Sequence, residues 1–328
     1  MAEIKLCLDA LEAVKGQVVV MTGGSQGIGA ATVSMLYKRG AHVYFGDSNE
    51  IRGRELVDSL RSNTPNTGGS VHFQKLDVRD YRSQLQLFQT PYKEKGRVDV
   101  AVSCAAVTEP SGWFGTDDLN LETVMMEPQP LKDAIEINLT SVVLFCRIAL
   151  AYMGVKDDSK VPDNITFPTS KSIVLVSSIA GVVEQTGLFS YSSAKHGIIG
   201  LMRSLRAWAP AKYNVRINAI CPWATDTQMM KTVRSAWLEH GLPINTPDEV
   251  SQFILQLATD KTLNGRCVVV GGGRGFDTEG IGNTMSEWFG PELTREFLRA
   301  QKVLGMGDDW SSTQKGGKRR DMLHLPTG

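Results

Sequence analysis

The chain alternates short apolar runs with longer amphipathic stretches from about residue 17 to residue 270. The apolar runs are rich in β-branched residues, which is typical of strands buried inside a parallel sheet. They predict seven strands, over residues 17–22, 41–46, 71–76, 98–103, 172–177, 214–220 and 266–270. The stretches between them predict six helices, over residues 27–39, 50–62, 80–95, 131–152, 190–209 and 247–258. Such alternation predicts an α/β fold built around a doubly wound parallel sheet.

The length of 328 residues is enough for one large α/β domain with extensions. We expect a single domain over residues 1–275, a helical extension over residues 276–310 and a disordered tail over residues 311–328. Residues 154–170 are polar and contain two prolines, which predicts a surface insertion.

Two long loops follow predicted strands, at residues 108–130 and 223–246. Ligands bind beyond the carboxyl ends of the strands in open parallel sheets, so we expect both loops to form walls of a ligand pocket. The residues just before the helix at 190–209 are predicted to line the same pocket; they are Val182, Val183, Gln185, Leu188 and Phe189. Ordinary packing is the alternative interpretation for each apolar residue in this set.

A glycine-rich loop at residues 22–29 joins the first predicted strand to the first predicted helix, with the sequence TGGSQGIG. Glycine lets the backbone turn tightly and approach a phosphate, and the helix N-terminus offers free N–H groups and a positive dipole end. This context predicts a site for the diphosphate of a dinucleotide, against the alternative of a turn with no ligand. Its predicted cofactor-binding residues are Gly23, Ser25, Gln26, Gly27, Ile28 and Gly29.

An acidic residue, Asp47, ends the second predicted strand 18 residues beyond Gly29. A carboxylate there can accept a hydrogen bond from a ribose 2′-OH and would repel a 2′-phosphate. No Arg or Lys follows at once, since the next residues are Ser48, Asn49 and Glu50. The sequence therefore favours NAD over NADP. An N-cap of the next helix is the other role predicted for Asp47, and the two are compatible.

A Y-x-x-x-K motif places Tyr191 and Lys195 four residues apart, on one face of a predicted helix. Ser178 lies thirteen residues before the tyrosine, after a predicted buried strand. An ammonium beside a phenol favours the phenolate, so we expect the pKa of Tyr191 to fall toward the working pH. A tyrosine of this kind can exchange a proton with an alcohol or a carbonyl group.

The formal net charge is zero, from 35 basic and 35 acidic residues. A nucleic-acid partner is not expected, because it would need a basic surface. Five scattered cysteines without a C-x-x-C pair indicate reduced, mostly buried thiols, and the histidines form no metal-binding motif. No apolar run approaches the ~18 residues that span a bilayer. We therefore expect a soluble cytoplasmic protein without a metal site or a membrane partner.

Taken together, these motifs resemble the short-chain dehydrogenase/reductase family, over about residues 14–275. The resemblance implies a Rossmann fold and a catalytic tetrad, which is Asn138, Ser178, Tyr191 and Lys195. It also implies cofactor contacts beyond those of the glycine-rich loop. These are Asp77 and Val78 at the adenine, Ser103 and Ala105 after the fourth predicted strand, Pro222, Thr225 and Thr227 at the nicotinamide end, and Tyr191 and Lys195 themselves.

The roles implied by the resemblance make Tyr191 the acid/base and Ser178 the residue that orients the substrate oxygen. Lys195 would lower the pKa of Tyr191 and hold the nicotinamide ribose, and Asn138 would hold a water that links Lys195 to solvent. The implied activity is NAD-dependent hydride transfer between nicotinamide and a hydrophobic secondary alcohol or ketone, in the oxidising direction. An NADPH-dependent ketoreductase and a nucleotide-binding relative without redox activity are the alternatives.

The extended tail resembles family members of fungal secondary metabolism, which implies a polyketide or terpenoid hydroxyl as substrate. The resemblance also implies a homodimer or homotetramer, paired through the helices that hold Asn138 and Tyr191.

Two departures from the family pattern stand near the predicted cofactor site. Residues 103–106 read Ser-Cys-Ala-Ala where the family usually has Asn-Asn-Ala-Gly, so the backbone at Ala106 should avoid positive φ. Trp223 follows Pro222 where the family has glycine. The indole ring could close the pocket, stack on substrate or point outward.

Overall fold

The computed structural model describes residues 2–64, 66–110, 112–115, 118–154, 171–279 and 284–303. The chain divides into two compact units, Met1–Thr278 and Glu279–Gly328. The predicted insertion is described only at Gly154, and its residues 155–170 lie outside the described residues, as does the predicted tail at 311–328.

The first unit contains a nine-stranded sheet with the order β1-β9-β8-β7-β6-β5-β2-β3-β4. The strands are β1 Ala2–Ile4, β2 Val18–Thr22, β3 His42–Asp47, β4 Ser70–Lys75, β5 Val100–Ser103, β6 Ser172–Val176, β7 Arg216–Pro222, β8 Cys267–Gly271 and β9 Arg274–Asp277. All pairs from β2 to β8 are parallel, which confirms the doubly wound sheet and the seven predicted strands.

The antiparallel edge formed by β9 and β1 is not among the seven predicted strands, because strands of four and three residues are too short to give a clear apolar pattern. Gly272 and Gly273 have φ of 58° and 73°, the combination that a two-residue hairpin turn requires. They return the chain as β9 beside β8, and β1 then pairs with β9 from Ala2↔Asp277 to Ile4↔Gly275.

In chain order, all helices of the described residues except the last lie between these strands. They are α1 Leu8–Glu12, α2 Gly27–Lys38, α3 Glu50–Asn63, α4 Tyr81–Lys95, α5 Gln129–Ile135, α6 Ser141–Met153, α7 Phe189–Tyr213, α8 Arg234–Glu239, α9 Pro247–Thr259 and α10 Thr284–Val303. The predicted helix at 131–152 is α5 and α6 joined through a π-helical turn, Glu136–Thr140. In the second unit, α10 is interrupted at Gly290, which has φ 74° and ψ 168°.

Two apolar cores cover the two faces of the sheet. Successive strand residues point to opposite faces, so Val19 and Met21 of β2 join one core and Val20 joins the other. The first core includes side chains of α2, α3 and α9, and the second includes side chains of α4, α6 and α7. Because both faces are covered, the carboxyl ends of the parallel strands are left to form the site.

One stretch contradicts the expectation that no apolar run is long enough to span a membrane. Residues 129–153 form a continuous helical segment of 25 residues that is sufficiently long and apolar, and half of its most apolar window is buried. Its buried side chains, among them Phe145 and Met153, belong to the second core. We therefore interpret the segment as a core helix of the α/β unit.

A fully buried arginine, Arg216 of β7, fixes the end of α9. Its guanidinium donates to the carbonyl oxygens of Leu257 at 3.0 Å, Leu263 at 2.7 Å and Ala258 at 2.5 Å. Burial lowers the pKa of Arg216 to about 10. Two of these bonds, to Leu257 and Ala258, satisfy carbonyl groups at the C-terminus of α9 that lack partners within the helix.

Candidate active site

A cleft of about 520 Å³ opens at the carboxyl ends of the parallel strands. It brings together most of the predicted site residues. Those that line it are Gly23, Gln26, Gly27, Ile28, Gly29, Asp47, Asp77, Val78, Ala105, Ser178, Tyr191, Lys195, Pro222, Thr225 and Thr227. Three predicted residues, Ser25, Ser103 and Asn138, do not line it.

The glycine-rich loop requires glycine because other backbone comes very close to it. A Cβ on Gly23, which has φ 71°, would lie 2.5 Å from Cα of Ala105 in the loop after β5. The helix α2 begins at Gly27, and its N-cap residue, Gln26, makes no side-chain cap. The first N–H groups of this 12-residue helix are therefore available to a ligand in the cleft.

Ser25 and Asp47 join the glycine-rich loop to the end of β3. The backbone N–H of Ser25 donates to Asp47 Oδ2 at 3.0 Å, and that of Asn49 donates to Asp47 Oδ1 at 2.9 Å. The N-cap of α3 is Asn49, which accepts from the N–H of Arg52. The alternative that made Asp47 the N-cap of this helix is therefore wrong.

The hydroxyl of Ser25 is buried and makes no hydrogen bond with the residues that the structure describes. Such a group normally has a partner, because burying it unpaired costs about 1–3 kcal/mol. Together with the uncapped start of α2, this hydroxyl fits the oxygen-rich diphosphate of a dinucleotide. The residues of this chain thus fit the cofactor that the sequence implies.

A cation that sequence reasoning passed over contacts the same loop. Arg52, in the first turn of α3, donates a hydrogen bond to the side-chain carbonyl of Gln26. The prediction of NAD did not consider Arg52, which lies beyond the three residues that follow Asp47 in the sequence. One helical turn brings it back to the loop.

Asp77 and Val78 border the cleft after β4, as predicted, together with Arg79. The Arg79 guanidinium holds the carboxylate of Asp77, with Nη2 2.7 Å from Oδ2. This hydrogen bond keeps the pKa of Asp77 below its ordinary value.

Ser103 is buried within β5 and does not line the cleft, so its predicted contact with the cofactor stays a prediction. The next four residues, Cys104 to Val107, line the cleft instead. Ala106 has no positive φ, which confirms the expectation for an alanine in place of glycine. Burial raises the pKa of the Cys104 thiol to about 12.

Ser178, Tyr191 and Lys195 meet in the middle of the cleft. Ser178 follows β6, where its hydroxyl accepts from the N–H of Ala180 at 3.2 Å and also hydrogen-bonds the Tyr191 phenol. Lys195 is 2% exposed; its Nζ donates to the carbonyl oxygen of Val176 at 3.1 Å and lies 5.4 Å from the centroid of the Tyr191 ring. Burial lowers the pKa of Lys195 to about 8.

The pKa of Tyr191 moves in the opposite direction from the prediction. Burial raises it, the hydrogen bond from Ser178 opposes the rise, and the thiols of Cys221 and Cys104 add to it. Lys195 does not reverse the rise in the Tyr191 pKa, since its Nζ donates a hydrogen bond to the carbonyl oxygen of Val176 and lies over the ring of Tyr191. The sequence identified the neighbouring lysine but could not reveal how deeply the phenol is buried.

Asn138 is fully buried in the π-helical turn and does not line the cleft. Its amide oxygen accepts from the N–H of Val107, and its amide nitrogen donates to the carbonyl oxygen of Val107, both at 3.0 Å. The side chain therefore holds the loop after β5. The water-binding role implied for Asn138 stays a prediction.

The other end of the cleft has an aromatic and sulfur-containing wall. The rings of Trp223 and Trp237 meet edge to face, with centroids 5.5 Å apart, and Met229 and Met230 lie on the same wall. The Trp223 ring lines the cleft with 37% of the residue exposed. Sequence reasoning predicted this loop as a wall but did not single out Trp237.

The predicted wall at residues 108–130 is not part of the main cleft. Trp113 and Phe114 line a separate cavity of about 320 Å³ with Phe189. Of the five residues predicted just before α7, only Gln185 lines the main cleft. The prediction is wrong for the other four, which are Val182, Val183, Leu188 and Phe189.

Comparison with known proteins gives a consistent family. A family model described as short chain dehydrogenase matches residues 17–237, more than half of the chain. The 5′-hydroxyaverantin dehydrogenase of Dothistroma septosporum is 29% identical over 311 residues, which cover 90% of this chain and 96% of that protein. The short-chain dehydrogenase/reductase ascJ of Acremonium egyptiacum is 32% identical and covers 85% of this chain and 86% of its own.

A solved structure, that of gox2181, has a TM-score of 0.64 and 25% sequence identity. It covers 80% of this chain and 98% of its own.

Proposed function

Because this chain belongs to the short-chain dehydrogenase/reductase family, as its motifs predicted, we propose that it oxidises a hydrophobic secondary alcohol to a ketone with NAD. Family membership makes it an oxidoreductase that interconverts alcohol and carbonyl groups with a nicotinamide cofactor. NAD, the direction and the substrate are our proposals. The observation that carries them is the cleft itself, where Ser178, Tyr191 and Lys195 lie with the glycine-rich loop and Asp47.

The chemistry divides between the cofactor and the protein. When bound, the nicotinamide supplies the hydride acceptor for oxidation or the hydride donor for reduction. Tyr191 takes the proton of the substrate hydroxyl during oxidation and returns it to the carbonyl oxygen during reduction. Ser178 holds that oxygen by a hydrogen bond, and the Lys195 ammonium would favour the phenolate that must be present before it takes the proton of the alcohol. The glycine-rich loop and the start of α2 would hold the diphosphate.

The choice of NAD is supported by Asp47. Two backbone N–H groups fix its carboxylate at the end of β3, where it faces the cleft. A fixed carboxylate accepts a hydrogen bond from a ribose 2′-hydroxyl and repels a 2′-phosphate.

The hydrophobic substrate is supported by the wall that Trp223, Trp237, Met229 and Met230 form. Aromatic and thioether side chains present a large apolar surface that adapts to a ligand. The Dothistroma relative is named as a dehydrogenase of a hydroxylated compound. We extend this to a polyketide or terpenoid hydroxyl as the substrate of this chain.

The experiment that tests the proposal is turnover with a panel of hydrophobic secondary alcohols and NAD or NADP, followed by absorbance of the reduced nicotinamide. Tyr191→Phe removes only the phenol oxygen, so we expect cofactor binding to persist while kcat falls about a thousandfold. Normal turnover by this variant would remove Tyr191 from the mechanism, and a wild-type protein that binds cofactor but converts no alcohol or ketone would refute the enzymatic proposal.

A second candidate, an NADPH-dependent ketoreductase, is favoured by two observations. Arg52 contacts Gln26 in the glycine-rich loop, and a cation there could pair with a 2′-phosphate. Burial raises the pKa of Tyr191, which favours the protonated phenol that reduction needs. Faster ketone reduction with NADPH than alcohol oxidation with NAD would select this candidate.

A further inference from the structure

A glutamate from the loop after β5 lies at the start of the helix that holds Tyr191. Glu109 Oε2 accepts from the backbone N–H of Tyr191 at 2.7 Å and from the hydroxyl of Ser190 at 2.8 Å. Its other oxygen, Oε1, accepts from the N–H of Ser190 at 3.1 Å. One carboxylate thus makes three hydrogen bonds with the first turn of α7.

The helix needs an acceptor from elsewhere because its own sequence provides none. Its N-cap residue, Leu188, has an apolar side chain and makes no cap, so the first N–H groups require other partners. Glu109, 81 residues away from Ser190 in the sequence, supplies the carboxylate oxygens that accept hydrogen bonds from these N–H groups. A carboxylate also interacts favourably with the positive end of the helix dipole.

The same loop is held a second time, two residues before Glu109. Both backbone polar groups of Val107 bond the buried amide of Asn138. Between β5 and these two anchors, the loop forms the cleft wall from Cys104 to Val107. The position of this wall is therefore linked to the position of Tyr191 through one carboxylate.

We propose that Glu109 is a positioning residue. Through the first turn of α7, it fixes Tyr191 relative to Ser178 and to the cleft wall from Cys104 to Val107. This inference rests on the proposed function in one respect, that Tyr191 carries the proton. Glu109 acts through the backbone of residues 190 and 191 and is not itself a catalytic residue.

We expect the charge of Glu109 to affect the ionisation of Tyr191 separately from the positioning effect of its hydrogen bonds. The groups that face the phenol itself are Lys195 on α7, Cys104 after β5, Cys221 in β7 and the hydroxyl of Ser178 after β6. A carboxylate at the helix start offsets the positive dipole end, which would otherwise favour the phenolate. Removing the charge of Glu109 should therefore lower the pKa of Tyr191. Removing the hydrogen bonds of Glu109 should instead displace the Tyr191 side chain.

The test compares Glu109→Gln, Glu109→Ala and Ser190→Ala with Glu122→Gln, which removes an exposed carboxylate farther along the same loop. In Glu109→Gln, we expect the midpoint of the pH–rate profile to fall by about half a pKa unit. In Glu109→Ala, we expect kcat to fall at least about tenfold while KM for the cofactor stays within about twofold. Ser190→Ala should give a smaller loss of kcat, and Glu122→Gln should match the wild type.

A readout that does not need turnover separates this inference from the proposed function. Ultraviolet difference titration, with Tyr191→Phe identifying the signal, measures ionisation of the Tyr191 phenol directly. A lower midpoint in Glu109→Gln supports the inference even where no alcohol is turned over. Unchanged titration and unchanged kcat in Glu109→Gln and Glu109→Ala, with a loss of thermal stability alone, would overturn it and leave Glu109 as a simple helix cap.

Discussion

At the scale of single residues, the sequence identified which side chains meet but not the environment in which they meet. Asp47, Ser178, Tyr191 and Lys195 line the cleft as their motifs predicted, because motif spacing on strand ends and helix faces fixes direction. The direction of the Tyr191 pKa shift was predicted wrongly, since it depends on burial by residues distant in the chain. Glu109 had no local motif at all.

The raised pKa of Tyr191 has a consequence for pH dependence. Oxidation needs the phenolate, so its rate should increase with pH from about 6 to about 10, while reduction, which needs the phenol, should stay level over this range because the phenol remains protonated. Rates in both directions, measured with one cofactor pair, check this. Ser178→Ala removes the hydrogen bond that opposes the rise, so its oxidation profile should move to higher pH. A flat oxidation profile would contradict the assignment of Tyr191 as the base.

Arg52 and Asp47 give opposite expectations for the cofactor. If NAD is the cofactor, Asp47→Ala should weaken NAD about tenfold, the worth of one hydrogen bond to a charged group. Arg52→Ala should then leave NAD binding unchanged. Fluorescence titration with the reduced cofactors, NADH and NADPH, measures both variants. A loss of NADPH binding in Arg52→Ala, with NAD binding weak throughout, would instead select the ketoreductase.

At the scale of elements, apolar periodicity predicted the parallel strands and the helices between them. It could not find β9, because strand pairing there depends on a glycine hairpin and only four residues. It also joined α5 and α6 into one regular helix, since a π-helical turn does not change the apolar pattern. The loop at 108–130 was predicted as a cleft wall from its length, but length does not determine where a loop packs.

The end of α9 offers a stability test at this scale. Arg216→Met removes a buried donor and leaves the carbonyl oxygens of Leu257, Ala258 and Leu263 without it. We expect the free energy of unfolding to fall by about 3 kcal/mol or more. Arg54→Met, at an exposed ion pair with Glu50, should change it by less than about 0.5 kcal/mol. Chemical denaturation measures both, and equal losses would show that the buried bonds contribute little.

At the scale of the whole molecule, the fold lowers the pKa of several titratable groups. Burial lowers the pKa of His42 and His72 at the β3–β4 edge, and Arg79 lowers that of Asp77. Each group therefore binds a proton more readily in the unfolded chain than in the folded one. The two histidines decrease the free energy of unfolding as the pH falls below their unfolded pKa of about 6.5, and the carboxylate does so below a pH of about 4.

We therefore expect the protein to lose stability on mild acidification. The melting temperature should be lower at about pH 5.5 than at about pH 7.5, because the histidines take up protons on unfolding in this window. A His42→Gln/His72→Gln double variant should reduce this difference. Equal pH sensitivity in the wild type and the double variant would assign the effect to other groups.

The pairing of β1 with β9 also sets an order of events during synthesis. The residues of β1 leave the ribosome before their partners at 274–277, which follow only after some 270 more residues. At about 5–20 residues per second, this is a delay of roughly 15 to 55 seconds. During that delay the backbone N–H and C=O groups of β1 lack their partners in β9, until the hairpin of β8 and β9 emerges.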